Sequence, residues 1–496
     1  MSQPSDSVNT KALLAKNLLE LGPEFYDAVK PAVFPESHLR YWNQDLVDQM
    51  GWTAEYPELA QKRERFQEFK PFPSSLTKPL ALRYHGHQFQ HYNPDLGDGR
   101  GFLYAQVQWQ GKLWDFGTKG SGTTPYSRRG DGRLTLKGAF RESLATELLE
   151  AVGVNTSRTF CFFETGEPLT RGDEPSPTRS AVLTRFSHSH IRIGTFQRLA
   201  YFQNKTALEA LLRYSARHLI TELDPNEDTG LLAVQFLKNV SHRLAHLTAQ
   251  WMIAGFVHAV LNTDNLNITG ESFDYGPYRF LPHYDPGFTA AYFDHQGLYA
   301  FGRQPQMVLW AVQQLASSLE VLVPELPTSE ILADFGDIFS DSTMLMFLHK
   351  LNLKPRTTDE NNTLLRAFFH FQEAQPTKYE QTFFDCCRRN WNTLDQGTGP
   401  WPMSPQAALY TGTQAGLLLC DELKKFAIDS HERGEHPLLQ RAAPVTLLID
   451  EIEALWAPID QQDDWGPYNK KLEEIRSLRA LMNLKTVKPD YFGPAI

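Results

Sequence analysis

Apolar residues change their spacing along this chain, and the changes divide it. Between Thr10 and Leu21 they recur at helical intervals and predict one amphipathic helix, followed by a proline-punctuated segment ending at PFPSSLTKP. From Leu80 to about Gln203 short apolar runs predict strands. Two of these, Arg100 to Trp109 and Lys112 to Lys119, are joined at Gln110-Gly111, a two-residue hairpin signal. A helix is predicted from about Leu134 to Val152, then strands at Thr159–Phe163 and Ala181–Phe186. Past about Lys205 helical periodicity takes over, at 206–221, 231–258 and 306–322, and again at 359–374, 404–429 and 444–456. One strand-like interruption, Leu266 to Tyr275, falls inside this half. The pattern predicts an α+β chain with a β-rich part at 80–204, a helical part at 205–330, an N-terminal segment at 1–79 and a helical extension at 331–496.

Composition narrows the class. The 496 residues are 41% hydrophobic and 12% aromatic, which supports packed cores rather than disorder. A net charge of -10 argues against a nucleic-acid backbone binder, which needs a basic face. Cys161, Cys386, Cys387 and Cys420 form no C-x-x-C pair and read as buried thiols of a reducing compartment. The N-terminus has neither a hydrophobic signal core nor an arginine-rich presequence, and the longest apolar stretches, such as Trp251 to Val257, are too short to span a bilayer. The expectation is a soluble, cytoplasmic protein without nucleic-acid or membrane partners.

Chemistry concentrates in two places. LGDGRG sets Gly97, Gly99 and Gly101 around Arg100 just before a strand, where bare backbone N–H groups can cradle an anion; a tight turn opening a hairpin gives the same pattern. Lys119 ends the second strand. Glu142 shares a helical stripe with Gly138, Ala145 and Leu149, so its carboxylate faces the interior and needs a cationic partner, for which Lys119 is the candidate. Between them, Arg128, Arg129, Arg133 and Lys137 surround Asp131-Gly132, a density that suits polyphosphate or simply a solvated turn. Arg185 and Arg192 are further candidates for phosphate contact. RYHGHQFQH offers His85, His87 and His91, which read as packing and hydrogen-bonding residues; Trp401 reads as structural.

The second place is HAVLNTDNLNITGESFDYGP. A helix is expected to end near His258, a loop to deliver Asp264 and Asn265, and a compact hairpin to return at Asp274. An amide oxygen with a carboxylate suits Mg²⁺, and Asp264 is free to act as general base toward a hydroxyl. Protein kinases place their base in the third position of H-R-D-x-x-x-x-N; here His258 and Asn265 keep that spacing, but the third position is Val260. Either the chain is inactive or its chemistry is organised differently.

The runs GHQF (Gly86–Phe89), LGDGRG, KGSGTTPYSRRGDGR, RESLATE, HAVLNTDN, DYGP and DHQGLYAFGRQP (Asp294–Pro305) follow in consistent order from about residue 80 to 320. Together they resemble the selenoprotein O family of kinase-like proteins. The resemblance implies a bilobal protein-kinase-like fold with a β-rich N-lobe, a helical C-lobe and a helical C-terminal extension. It implies ATP bound in a flipped orientation, with AMP transferred to Ser, Thr or Tyr hydroxyls of protein substrates and pyrophosphate leaving. By motif, Gly97, Gly99, Arg100, Lys119, Asp131, Gly132, Arg185, Arg192 and Asp274 would contact nucleotide; Asn265 and Asp274 would hold Mg²⁺ or Mn²⁺; Asp264 would accept the proton. UTP use and a monomeric state are also expected. Two departures stand out. Family members often carry a cysteine or selenocysteine near the C-terminus, whereas here the chain reads KPDYFGPAI and offers Ala290 and Ala291 rather than a thiol, so no redox latch is expected. Ala259 replaces a glycine, a mild change on sequence grounds. The rival readings are an atypical kinase using Asp264 and a nucleotide-binding pseudokinase.

Overall fold

A computed structural model describes residues 11–172, 174–388 and 404–483; Trp401 and the KPDYFGPAI terminus lie outside them. One antiparallel sheet organises the first 190 residues. Its strands are β1 (Leu13–Ala15), β2 (Tyr26–Ala28), β3 (His38–Trp42), β4 (Leu80–Leu82), β7 (Leu103–Trp109), β8 (Lys112–Lys119), β9 (Leu134–Thr135), β10 (Arg158–Leu169) and β11 (Thr178–Ser187). They run in the order β2-β4-β7-β8-β11-β10-β3, with β1 beside β7 and β9 beside β11. A separate hairpin, β5 (Gly86–Gln88) with β6 (His91–Asn93), stands off this sheet. The expected amphipathic helix before Leu21 is instead β1 followed by a short 3-10 turn, Asn17–Leu21. Leu14 pairs with Val107 on β7, and a three-residue strand is too short for periodicity to separate from a helical turn.

The β7–β8 hairpin forms where Gln110-Gly111 predicts it. Both turn residues are left-handed, at φ 50° and 73°, which matches the twist of the flanking strands. One face of the sheet, including Phe116, Phe160 and Phe186, builds an aromatic cluster with Trp52, Phe66 and Phe72 from the segment holding α1 (Gln44–Gln49) and α2 (Leu59–Phe66). The other face receives α3 (Leu136–Ala151). That helix is buried nearly all round, because a late helix covers its outer side.

Helices follow: α4 (Ile193–Tyr201), α5 (Lys205–His218), α6 (Thr229–Ala254) and α7 (Gln304–Leu319). Gly255, at φ 64°, ends α6 before the expected His258; any Cβ there would strike the Tyr379 ring at 2.6 Å. A two-stranded ribbon, β12 (Phe256–Val257) with β13 (Arg279–Phe280), then brackets the loop that carries the site. The remainder is α8 (Thr328–Ile331), α9 (Phe335–Lys350), α10 (Thr358–Ala374), α11 (Tyr379–Cys387), α12 (Ala407–Gly412), α13 (Gln414–Leu423), α14 (His431–Gly434), α15 (Ile449–Gln462) and α16 (Gly466–Asn483). The single helix expected over 404–429 is broken at Thr413, whose hydroxyl caps α13 through the Gly416 N–H. The last two helices return to the sheet: Tyr468 meets Phe140 and Ser143 of α3, while Arg179 of β11 pairs with Asp463. Among the described residues no helix is long and apolar enough to cross a membrane.

Candidate active site

Register places the two central cations. Leu183 stands opposite Lys119 and Arg185 opposite Gly117, so Lys119 and Arg185 are diagonal neighbours on the face that α3 covers. Glu142, 1% exposed, rises between them from α3. Its carboxylate accepts from Lys119 Nζ at 2.6 Å and from Arg185 Nη2 at 2.9 Å. Asp274 Oδ1 completes the group, at 2.9 Å from Lys119 and 3.1 Å from Arg185. Two cations and two anions therefore balance in a largely buried group at the edge of a cleft. Burial would raise the Asp274 carboxyl, but Lys119, Arg185 and Arg100 overcome this and hold it well below the usual carboxylate range. Its side chain stays 33% exposed, open to a cleft.

That cleft, of about 750 Å³, is lined by the glycine turn, the 126–133 loop, Lys119, Arg185, Arg192 and the 260–265 loop. Gly97, Gly99 and Gly101 all border it, but protein atoms exclude their side chains. A Cβ on Gly97 would meet the Tyr126 ring at 2.3 Å, and one on Gly101 the Thr118 carbonyl at 2.1 Å. The turn is glycine-rich so that it can seat against its own neighbours. Of the basic cluster, Arg133 is committed to Glu167 and Lys137 to Glu453. Asp131, paired with Arg171 at 2.8 Å, and Gly132 also line the cleft. Arg100, Arg128 and Arg129 make no ion pair with any described residue, so the cleft wall carries free positive charge. A second cavity, about 450 Å³, lies behind α3; its Arg158, Arg243 and Arg479 are paired with Glu150, Glu222 and Glu147. Charge supply favours the first cleft.

Arg192 was legible as a candidate; its support was not. The guanidinium lies 4.1 Å from the Tyr84 ring centroid and 5.1 Å from that of Phe273, with Nη1 3.2 Å from Asp98 Oδ1. Asp98 is the middle of LGDGRG, so one turn supplies both the glycines and the residue that orients this arginine.

The segment after Asp264 corrects the sequence reading. Leu266–Tyr275 is no hairpin: its backbone bonds go outward, Ile193 N to Leu266 O, Ile268 N to Ile191 O and Ser272 N to Asn155 O. Asn265 and Asp274 thus border the cleft on a loop clamped to two other segments. Asp274 itself is left-handed, at φ 63°. So is Ala259, at φ 78°, a backbone conformation that strains a residue with a Cβ.

Asp264 sits in a tight collar. A Cβ on Gly86 would come within 3.1 Å of Asp264 Oδ1 and Thr263 Oγ1. Thr263 Oγ1 accepts from the His87 N–H at 2.7 Å and donates to Gln197 Oε1 at 2.5 Å, and Gln197 Nε2 meets His87 Nδ1 at 2.7 Å. His85 contacts the Tyr92 hydroxyl at 2.8 Å; burial pushes its imidazole down to about 4. These two histidines are hydrogen-bonded packing residues, whereas His91 is exposed. Asp264 Oδ1 is buried with no partner. Burial pushes this carboxyl up to about 7, against the opposing pull of Arg192.

A hard cation fits the remaining donors. Asn265 Nδ2 donates to Val260 O at 3.0 Å, leaving the amide oxygen free, and Asp274 keeps its Oδ2. No three His, Cys, Asp or Glu side chains cluster as a cage among the described residues.

Residues 10–476 match the family model described as protein adenylyltransferase SelO. Three curated relatives carry the name protein nucleotidyltransferase YdiU. That of Trichormus variabilis is 42% identical over 467 residues, covering 93% of this chain and 95% of the relative. That of Gloeobacter violaceus is 43% identical, with 93% and 94% covered. That of Synechococcus elongatus is 48% identical, with 92% and 93% covered.

Proposed function

The chain belongs to the SelO family of protein adenylyltransferases, and from that premise we propose that it transfers AMP from ATP to Ser, Thr or Tyr hydroxyls of proteins. The reading takes the sheet and the helices after about residue 204 as the two lobes of a kinase-like body. The observation that carries it is the displaced base. Val260 stands at the kinase base position, while Asp264 borders the cleft with one oxygen unpaired and its carboxyl raised to about 7. A carboxylate with that value is poised to take a hydroxyl proton near neutral pH.

The step balances simply. The acceptor oxygen forms a bond to the α-phosphorus, its proton passes to Asp264, and the bond from the α-phosphorus to the α,β-bridging oxygen breaks. Pyrophosphate leaves with the electron pair. Lys119 and Arg185, held by Glu142, face the inward end of the triphosphate, and Arg192 is aimed by Asp98 and Tyr84. Arg100, Arg128 and Arg129 add neutralising charge at the cleft wall. Asn265 and Asp274 would hold Mg²⁺ or Mn²⁺, which when bound neutralises phosphate charge. Incubation with ATP labelled at either the α or the γ position tests the reading. Label from α on protein, resistant to denaturation, is expected; label from γ alone would make the chain a kinase, and neither would make it a pseudoenzyme.

A further inference from the structure

Among the described residues, the runs GHQF and DHQGLYAFGRQP give the cleft wall Gln88 alone. Both nevertheless converge on Asn262 and on the short turn Thr263–Asn265 that carries Asp264. One set of bonds comes from β5 and α4. The His87 N–H donates to Thr263 Oγ1 at 2.7 Å, and that hydroxyl donates to Gln197 Oε1 at 2.5 Å. Gln197 is buried, and its Nε2 closes the ring on His87 Nδ1 at 2.7 Å. Glycine lets these parts approach: a Cβ on Gly194, in the first turn of α4, would meet the His85 carbonyl oxygen at 2.2 Å and the Asp264 Cα at 3.6 Å.

A second set comes from Tyr299, which is also buried. Its hydroxyl donates to Asn262 Oδ1 at 2.7 Å and accepts from the Phe89 N–H at 3.0 Å. Asp294 holds this tyrosine in turn, accepting from the Tyr299 N–H at 2.8 Å. Gln304 of the same run ties down the chain ahead of the turn. It accepts from the His258 N–H at 3.0 Å and donates to the Phe256 carbonyl at 2.9 Å. The two residues before Asp264 thus each commit a side-chain oxygen to an outside partner, whereas Asp264 Oδ1 has no partner and its residue borders the cleft. A fixed stem with a reactive oxygen left over is what a placed base requires. Resting on the adenylyl-transfer reading, we propose that Thr263, Gln197 and Tyr299 are positioning residues for that transfer, holding the turn through two sets of bonds so that the Asp264 carboxylate meets the acceptor hydroxyl. None of the three lines the cleft, so their loss should act on turnover and spare ATP binding. Displacing a reacting group by about 1 Å costs up to about 100-fold in rate.

Thr263→Val, Gln197→Met and Tyr299→Phe test this, because each removes hydrogen-bonding groups and keeps nearly the same volume. In steady-state transfer from α-labelled ATP to protein, each should lower kcat about tenfold and leave the ATP KM within about twofold of wild type. Thr263→Ser, which keeps the hydroxyl, should recover most of the loss seen with valine. A wild-type kcat in any of the three, an ATP KM that rises in step with the loss as general damage to the fold would make it, or no recovery with serine would each overturn the proposal alone, with the wild type still transferring AMP. Absence of α label on any protein with the wild type would remove the adenylyl-transfer reading, and this proposal with it.

Discussion

Glu142→Gln is the most informative single change, because it alters one charge in the balanced group and almost no volume. The wild-type carboxylate, 1% exposed, accepts from both Lys119 and Arg185. With glutamine there, two buried cations face Asp274 alone. Breaking a buried, hydrogen-bonded charge set by removing one partner costs about 3–5 kcal/mol. An unfolding entropy of about 2.1 cal/mol/K per residue over 496 residues gives about 1 kcal/mol/K. The melting temperature should therefore fall by about 3–5 °C. The cause can be separated from mere packing damage: Lys119→Met added to Glu142→Gln restores neutrality, leaving Arg185 against Asp274. Calorimetry should find the double variant less destabilised than the sum of the two single ones, by at least about 1 kcal/mol. Turnover should drop in both, since Lys119 is either misdirected toward Asp274 or gone. A single variant within about 0.5 kcal/mol of wild type, or strict additivity, would refute the idea that charge balance governs this group.

Asp264 carries the pH dependence. As the proposed general base it acts as the carboxylate, so kcat/KM should fall about tenfold per pH unit below about 7 and level above it, and Asp264→Asn should abolish transfer at every pH. The linkage has the opposite sign for stability. The folded value lies above the ordinary 3.8, so the contribution is fully present below 3.8 and is lost as pH rises to about 7, about 4 kcal/mol in all. In chelator-treated protein Asp264→Asn should thus raise the melting temperature at pH 8 and change it little at pH 4; equal effects at both would contradict the burial. Arg192→Lys keeps the charge but forfeits stacking on Tyr84 and Phe273, and should raise the ATP KM about tenfold in steady-state assays. Gly97→Ala drives a methyl into the Tyr126 ring, and should cost about 1–3 kcal/mol in denaturant titration together with most nucleotide affinity.

Parts of this site could be read from residues in order. Gln110-Gly111 declared the hairpin because its chemistry matches the required dihedrals, and the Glu142 stripe faces inward because α3 is covered on both sides. Other parts depend on partners far apart in the chain. Asp98 reaches Arg192 and Gln197 braces Thr263 through contacts that no local pattern encodes. The β5–β6 hairpin was invisible because its turn, Phe89-Gln90, has the wrong residues for its dihedrals and is held by Asn262 and Tyr299. Leu266–Tyr275 has a strand's composition, yet its backbone bonds go to segments around residues 155 and 191 instead of forming a hairpin.

The proposed transfer requires the phosphorus next to the ribose to be the one presented to Asp264. A crystal structure with Mg²⁺ and an ATP analogue bridged by carbon between its α- and β-phosphorus atoms measures this directly. The α-phosphorus is expected closest to the Asp264 carboxylate, with the terminal phosphate turned toward Lys119 and Arg185. A γ-phosphorus nearest Asp264 would contradict it.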